Sequence, residues 1–492
     1  MGELEYLFKH ALTQEVAYQS LLLKRRREIH EKIGAAIEQL YAERLEEFFE
    51  VLGYHFEKAG VSDKAVRYFH LAGQRAVQLS ANEEAIGYFS RALELLQSLP
   101  GSRERDEQEL ALQHALCAPL RHARGWAVPE VGRACARALE LARQVGETPQ
   151  TVAALGSLHA YHMTRGDHRI ALELAEQFLH LAQPDDPIQM MRAHRAMGMS
   201  LFYAGEFDQA RIHLEQVMEL YESQEHRSLA FLQGLDFGVI PLALDAWDLW
   251  ISGYPDQGLK RIQEMMALAQ ELDLPFPLAH ACGCSATFHW LRREPERVQQ
   301  YAKDHLPRSI EGGFQLLKAA AIIELGWAQA RQGEVENGIA RMGQGLDVWR
   351  SRSMYFWSSF YLAGQAETYG ILGKTREGLD AVGEALDIIQ KTEERWCEAE
   401  VHRIQGELLQ LSGRPSEAET CFRQAVEIAH RQEAKSWELR AKLSLSRLLQ
   451  KTSRSEEARQ LLSEIYGWFT EGFDTPDLKE AKALLDALEA SP

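Results

Sequence analysis

"GRPSEAETCFRQAVEIA", Gly413 to Ala429, decides the fold. Ala418, Phe422 and Ala425 stand at i, i+4 and i+7, one stripe of a helix, and Gly413 lies five residues ahead of the first of them. A glycine there supplies the positive φ that ends a preceding helix. Twelve residues before Ala418 a second small residue, Gly406, sits in another amphipathic segment. The stretch therefore reads as the second half of a helical hairpin.

The same template recurs along the chain. Ala458, Gly378, Gly338, Val298 and Gly258 occupy the place of Ala418 at intervals of 40 residues. Toward the N-terminus the anchors are Ala210, Ala171, Val131, Ala85 and Ala65, at looser intervals of 48, 39, 40, 46 and 20. The position twelve residues before each anchor reads Gly53, Gly73, Pro119, His159, Gly198, Ala246, Ala286, Gly326, Ala366, Gly406 and Ser446, and nine of these eleven are small. A small residue there lets two antiparallel helices approach closely, with the small anchor filling the matching place. Glycine precedes the anchor by five at Gly60, Gly166, Gly205, Gly253, Gly333, Gly373 and Gly413. The 20-residue step from Ala65 to Ala85 makes the helix near 63–79 both the second of one pair and the first of the next, so a register break is expected between about residues 60 and 130.

This pattern, in "LGYHFEKAGVSDKAVRYFHLA" and "MGMSLFYAGEFDQARIHLEQV", resembles the tetratricopeptide repeat over roughly Glu46 to Phe469. The resemblance implies an all-α, right-handed superhelical solenoid of antiparallel helix pairs whose concave face binds protein or peptide. The common unit is about 34 residues, so a unit of 40 requires longer helices; a HEAT-like array competes on period alone.

Composition narrows the function classes. With 492 residues, 46% hydrophobic and 26% charged, the chain exceeds what one compact core supports and has apolar surface enough for an array or several domains. Seventy-two Asp and Glu against 54 Lys and Arg argue against a nucleic-acid face. The six cysteines form no CxxC pair and no disulfide-framework spacing, which fits a reducing cytoplasm. No leader pattern and no apolar run of about 18 residues appears, so neither secretion nor membrane spanning is indicated.

Motifs that suggest chemistry are weak. "LGKTREG" copies the end of a phosphate loop at Gly373, Lys374 and Thr375, but Thr368 stands where the first glycine belongs. In "HACGCSATFH", His280 shares a helix face with Cys284 and Cys282 with His289, on opposite sides, so four ligands do not converge. His159 and His162, near Asp167 and His168, form a further local cluster that reads as polar helix surface. Trp247, Trp250, Trp290, Trp327, Trp349, Trp357, Trp396 and Trp437 lie in the regular array, where aromatics at hairpin spacing are mostly core and a minority line a binding face. No catalytic triad, dinucleotide loop or paired-carboxylate motif is present, so no catalytic residue, metal site or cofactor is assigned.

The ends are more specific. "YLFKHALTQEVAYQSLLLKRRREIHEKIGAAIE", residues 6–38, resembles the end of the winged-helix region that follows the nucleotide-binding domain in STAND signalling ATPases, particularly bacterial proteins with a class III adenylate/guanylate cyclase domain. "RWCEAEVHRIQGELL" and "YGWFTEGFDTPDLKEAKALLDAL" are similar to the carboxyl-terminal tail of the same proteins. In that family the order is cyclase, ATPase, winged helix, repeats, and neither catalytic domain's signature occurs in this chain. The resemblance implies that His10 in "FKHAL" is the counterpart of a histidine that senses nucleotide phosphates, against a plain packing role; Lys24 to Arg27 read as an interdomain contact or a solvated face.

The expected layout is a winged-helix remnant and connecting helix at 1–45, a repeat solenoid at 46–470 and a capping helix at 471–492, with Thr475 as N-cap, Pro476 at the first helical position and Asp477 at the positive end of the dipole. The expected function is a non-catalytic interaction or sensor module in the cytoplasm, the tail of a signalling ATPase-cyclase, whose partners are a protein or peptide or the ATPase and cyclase domains in cis. The alternatives are an inducer-sensing repeat domain like that of maltose-regulator activators, or a component of the cyclase/ATPase enzyme itself.

Overall fold

The computed structural model describes residues 11–79, 81–146, 148–221, 237–351 and 354–490, which form 24 α-helices and divide into two compact units, Met1–Ser157 and Leu158–Pro492. In the first unit α1 (Ala11–Ser20), α2 (Leu23–Leu40), α3 (Phe49–Ala59), α4 (Ser62–Gln78), α5 (Asn82–Gln97), α6 (Arg103–Arg124) and α7 (Pro129–Val145) follow in order, and from α2 onward each packs on its neighbours in sequence. α8 (Thr148–Arg165) runs across the division.

The register conflict is resolved in α4. Its Ala65 is fully buried, and Phe69 lies where a Cβ on Gly53 of α3 would sit, 2.8 Å from that ring. One turn further Gly73 of the same helix receives Phe89 of α5. Gly34 of α2 takes Phe56 of α3 in the same manner, a Cβ there lying 2.8 Å from the ring. Here a single helix carries both the aromatic and the notch, so the repeating element is one helix and not a pair.

The second unit keeps the pairs. It contains α9 (His168–Leu181), α10 (Pro187–Ala204), α11 (Phe207–Leu220), α12 (Val239–Ile251), α13 (Pro255–Leu272), α14 (Pro275–Leu291), α15 (Pro295–Glu311), α16 (Gln315–Arg331), α17 (Val335–Ser351), α18 (Ser358–Ile371), α19 (Thr375–Thr392), α20 (Glu398–Leu411), α21 (Pro415–Arg431), α22 (Lys435–Lys451), α23 (Ser455–Tyr466) and α24 (Pro476–Glu489). Helices α14–α17, α21 and α22 are 17 residues long, the added length that a 40-residue unit demands. Proline opens α10, α13, α14, α15, α21 and α24, where its missing N–H costs nothing. All seven template glycines have positive φ, between 69° and 103°, and at the same register Arg293 (60°) and Ser453 (61°) adopt it without glycine. Backbones meet at the anchor crossings: a Cβ on Gly258 would lie 2.7 Å from the Ala246 carbonyl, and Ser446 Oγ donates to the carbonyl of its own anchor, Ala458 (3.1 Å).

The first helices of successive pairs also touch one another and form an inner layer. In α12, α14, α16 and α22 burial extends around nearly the whole circumference, the mark of a helix covered on every side. Distant turns of the unit supply that cover. Arg395 N donates to the Tyr203 carbonyl (2.7 Å), Trp357 Nε1 to Tyr203 Oη (2.8 Å) and Ser436 Oγ to the Trp250 carbonyl. A reciprocal clasp joins the last loop to the start of α13: Glu471 Oε1 accepts from the N–H groups of Asp256 (2.9 Å) and Gln257 (3.1 Å), and Asp256 Oδ2 accepts from Gly472 N (3.0 Å). α24 buries Leu478, Ala481 and Leu485 against Leu439, Leu443 and Leu462 of α22 and α23. Thr475 does stand at its N-cap, but its hydroxyl donates to the Gly472 carbonyl and leaves the helix N–H groups uncapped by a side chain.

Candidate functional site

The eight tryptophans of the array are all buried. Seven of them meet ring to ring across turns: Trp290 stacks on Trp327 at 4.6 Å between centroids, Trp357 lies tilted on Trp396 at 4.9 Å, and Trp247 meets Trp357 and Trp250 meets Trp437 edge-on, both at 4.8 Å. Beneath them Glu394 accepts from Trp357 N (3.0 Å) and Ser359 Oγ, and burial pushes its carboxyl up to about 7. The inner face expected to bind a partner is thus largely closed by its own aromatics.

A cavity of about 300 Å³ opens at the C-terminal end of the inner layer, lined from α16, α18, α20, α22 and α24. Its charged side chains, joined through Glu400 behind the wall, form one alternating chain. Arg331 meets Glu367 (3.6 Å), Glu367 meets Arg403 (3.9 Å), and Arg403 grips Glu400 with two bonds of 2.6 and 2.7 Å. Glu400 meets Arg440 (3.3 Å), Arg440 meets Asp477 (2.8 Å), Asp477 meets Arg293 (3.0 Å), and Glu480 bridges Arg293 (3.1 Å) and Arg447 (2.8 Å). Glu407 contacts Arg403 and accepts from Ser444 Oγ (3.0 Å). Burial acts to raise the Glu367, Asp477 and Glu480 carboxyls, but the surrounding guanidiniums prevail and hold all three below the usual carboxylate range. Against burial, Glu400 and Glu407 raise Arg403, and Asp477 and Glu480 raise Arg293.

The rim differs from the walls. Leu411 and Ile371, 40 residues apart at one repeat register, line the same cavity and remain 63% and 48% exposed. A site with fixed donors and acceptors of both signs and an uncovered aliphatic edge suits a short segment carrying polar and apolar side chains.

The residues singled out from sequence do not assemble into a second site. His280 meets Cys284 (3.5 Å to Nδ1), while His289 pairs with Glu294 (2.5 Å) on the other side of α14. His159 shares a hydrogen bond with Ser200 (2.9 Å), His162 with Asp167 (2.9 Å), and His168 stacks on Tyr203. Lys374 is the N-cap of α19, a repeat turn. His10 lies outside the described residues, among which no group of three or more metal-capable side chains converges. Among the same residues no helix is long and apolar enough to cross a membrane. The cavity arginines escaped sequence reading, although a signal existed: Glu367, Glu407 and Arg447 repeat at 40, as do Glu400 and Arg440.

No family model matches the chain. An uncharacterised protein of Rhizobium meliloti (strain 1021) is 26% identical over 378 residues, covering 76% of this chain and 36% of that protein. The chain therefore spans little more than a third of the length of the curated relative it matches. Among solved structures, the Rap protein complexed with competence and sporulation factor superposes with a TM-score of 0.53 at 12% identity, over 75% of this chain and 99% of that one. The apo form of RapI gives 0.46 at 15% identity, over 58% and 97%. The Rap likeness shows the fold: an all-α, tetratricopeptide-type array of helix pairs.

Proposed function

We propose that this chain is a non-catalytic regulatory module whose inner-layer cavity receives a short protein or peptide segment. The observation that carries the reading is the exposed aliphatic rim of Ile371 and Leu411 on a cavity walled by paired arginines and carboxylates. Isolated exposed aliphatics are ordinary on any surface; two at one repeat register beside a concavity are a place for a partner's side chains. Rap, solved in complex with competence and sporulation factor, lends the reading an example in the same fold. Within it the module is the tail of a cytoplasmic signalling ATPase-cyclase, supported by the resemblance of residues 6–38 and of the C-terminal stretches, and by the length of the R. meliloti relative beyond the match. His10 keeps its place there as a candidate nucleotide-sensing residue toward a domain in cis.

Selection from a random-peptide display library tests the binding role. Enriched peptides should lose binding at least tenfold to Leu411→Arg and Ile371→Arg, both exposed and so compatible with folding. No enrichment over an unrelated protein, or equal binding to both variants, overturns it. A second reading, a small-molecule inducer site, draws on the cavity's volume of about 300 Å³, the lower end for ligand pockets; thermal stabilisation by a sugar or metabolite and by no peptide selects it.

A further inference from the structure

Two of the six cysteines, 18 residues apart, are brought together. Cys117 on α6 and Cys135 on α7 lie with their sulfurs 3.1 Å apart, both buried, in the helix pair that follows the single-helix stretch of the first unit. Of the remaining four, three have partners other than sulfur: Cys284 faces His280, Cys397 faces Ser359 and Cys421 faces Gln405. We infer that Cys117 and Cys135 are a dithiol that a peroxide-class oxidant converts to an intramolecular disulfide joining α6 to α7.

Proximity is the first requirement, since sulfurs already in contact on facing helices need only a small approach to bond. The second is a nucleophile. The hydrogen bond shared with Cys135, with the Arg121 guanidinium adding to it, holds the Cys117 thiol below its ordinary value against burial, while the same bond and burial push Cys135 up. Arg121 stands one turn further along the same helix, and Cys117 is the sulfur placed to attack. The third is access. Pro119 lies inside α6 two residues from Cys117; it has no N–H for the Ala115 carbonyl, which weakens the helix ladder beside the buried thiol and favours local opening.

The step balances. The Cys117 thiolate attacks one peroxide oxygen, the O–O bond breaks, and the departing hydroxide takes a proton to leave as water with a sulfenic acid on Cys117. The Cys135 thiolate, having released its proton, displaces that oxygen as a second water, and the S–S bond forms. The two sulfurs are oxidised by two electrons together, and the peroxide is reduced by the same two.

The test uses the full chain, treated with excess hydrogen peroxide, then denatured, alkylated with N-ethylmaleimide and read by intact mass and peptide mapping. The expected result is four alkylated cysteines in place of six, a cross-link between the Cys117 and Cys135 peptides, and return to six after dithiothreitol. The outcome is read on the wild-type chain, so no variant has to fold; where C135S does fold, it should accumulate sulfenic acid at Cys117, trapped by dimedone. Six alkylated cysteines after oxidation, a cross-link elsewhere, or oxidation confined to the partly exposed Cys421, overturns the assignment.

Discussion

The two units solve one packing problem in two ways. In the first, Gly34, Gly53 and Gly73 each receive a phenylalanine from the next helix, so α3 and α4 each present an aromatic to one neighbour and a notch to the other. In the second, the notch and the anchor fall on alternate helices, as where Gly406 of α20 takes Phe422 of α21, a Cβ there lying 2.5 Å from the ring. The difference teaches where a binding surface arises. Where α3 and α4 use two faces each to hold their neighbours, those faces are closed to a partner, whereas alternation creates an inner layer whose faces meet across the turns and border the arginine-lined cavity.

The largest expected effect lies in that inner layer. Trp396 is fully buried between Trp357, Phe360 and Phe202, and Trp396→Ala should cost about 3–5 kcal/mol, read by urea unfolding. Hydrogen exchange should rise in α10 and α18 and stay unchanged in α2–α5; a rise shared by both sets would erase the contrast. Next, Asp477→Ala leaves Arg293 and Arg440 without their shared carboxylate and should cost about 3 kcal/mol near neutral pH. Because the folded-state Asp477 lies below its ordinary value, its contribution is present above about pH 4 and disappears as pH falls through the folded value. Wild type and variant should therefore converge in acid; a constant gap rejects the ion-pair account.

In the first unit, Gly73→Ala drives a methyl into Phe89 and should cost about 1–3 kcal/mol, visible as loss of protection in α4 and α5. A smaller, graded effect comes from buried imidazoles of the second unit: desolvation lowers His159 to about 3, and His168 and His280 to about 4. These groups stay neutral while the unfolded chain takes up protons, so they withdraw stability as pH drops from about 6.5 toward 4; Glu394, at about 7, acts in the opposite direction between 4.5 and 7. Burial also raises the Asp245, Asp248 and Glu324 carboxyls of this unit, so the imidazole contribution is read by difference: His159→Gln should lose less Tm than wild type between about pH 6.5 and 4, and an unchanged difference rejects it. Finally, Gly87 of α5 and Gly383 of α19 have nothing within 4 Å of a Cβ, so alanine at either should stabilise by about 0.5–1 kcal/mol, equally in both units.

The pairwise array was legible because its signal is local. Notch, turn glycine and anchor fall within about twenty residues, and every anchor from Ala65 to Ala458 sits in the buried core. The fate of α4 was legible as a conflict only, since which face takes which neighbour depends on the rings of Phe69 and Phe89 and not on spacing. Arg293 and Ser453 show the turn imposed by its surroundings with no glycine to announce it. The cavity was hidden for a different reason: Arg440 meets Asp477 and the Leu291 carbonyl, partners 37 and 149 residues away, and no repeat template foretells which turns of an array touch. Cys117 and Cys135 lay likewise beyond any spacing rule, on two helices of different length with Pro119 between them in sequence.

The clasp of Glu471 on Asp256 and Gln257 sets an order of events during synthesis. More than two hundred residues separate its halves, so the early helices of the unit leave the ribosome well before the segment that covers them. Tyr203 and Trp247 lack their partner until Trp357 emerges, and Trp250 lacks Ser436 and Trp437 for about eighty residues more, so the nascent chain presents an aromatic strip that is covered in stages. Closing so long a loop comes late and slowly. A chain made in one direction thus completes this inner layer only with α22 and α24, and deleting residues 471–490 should act on folding yield before it acts on anything the finished molecule does.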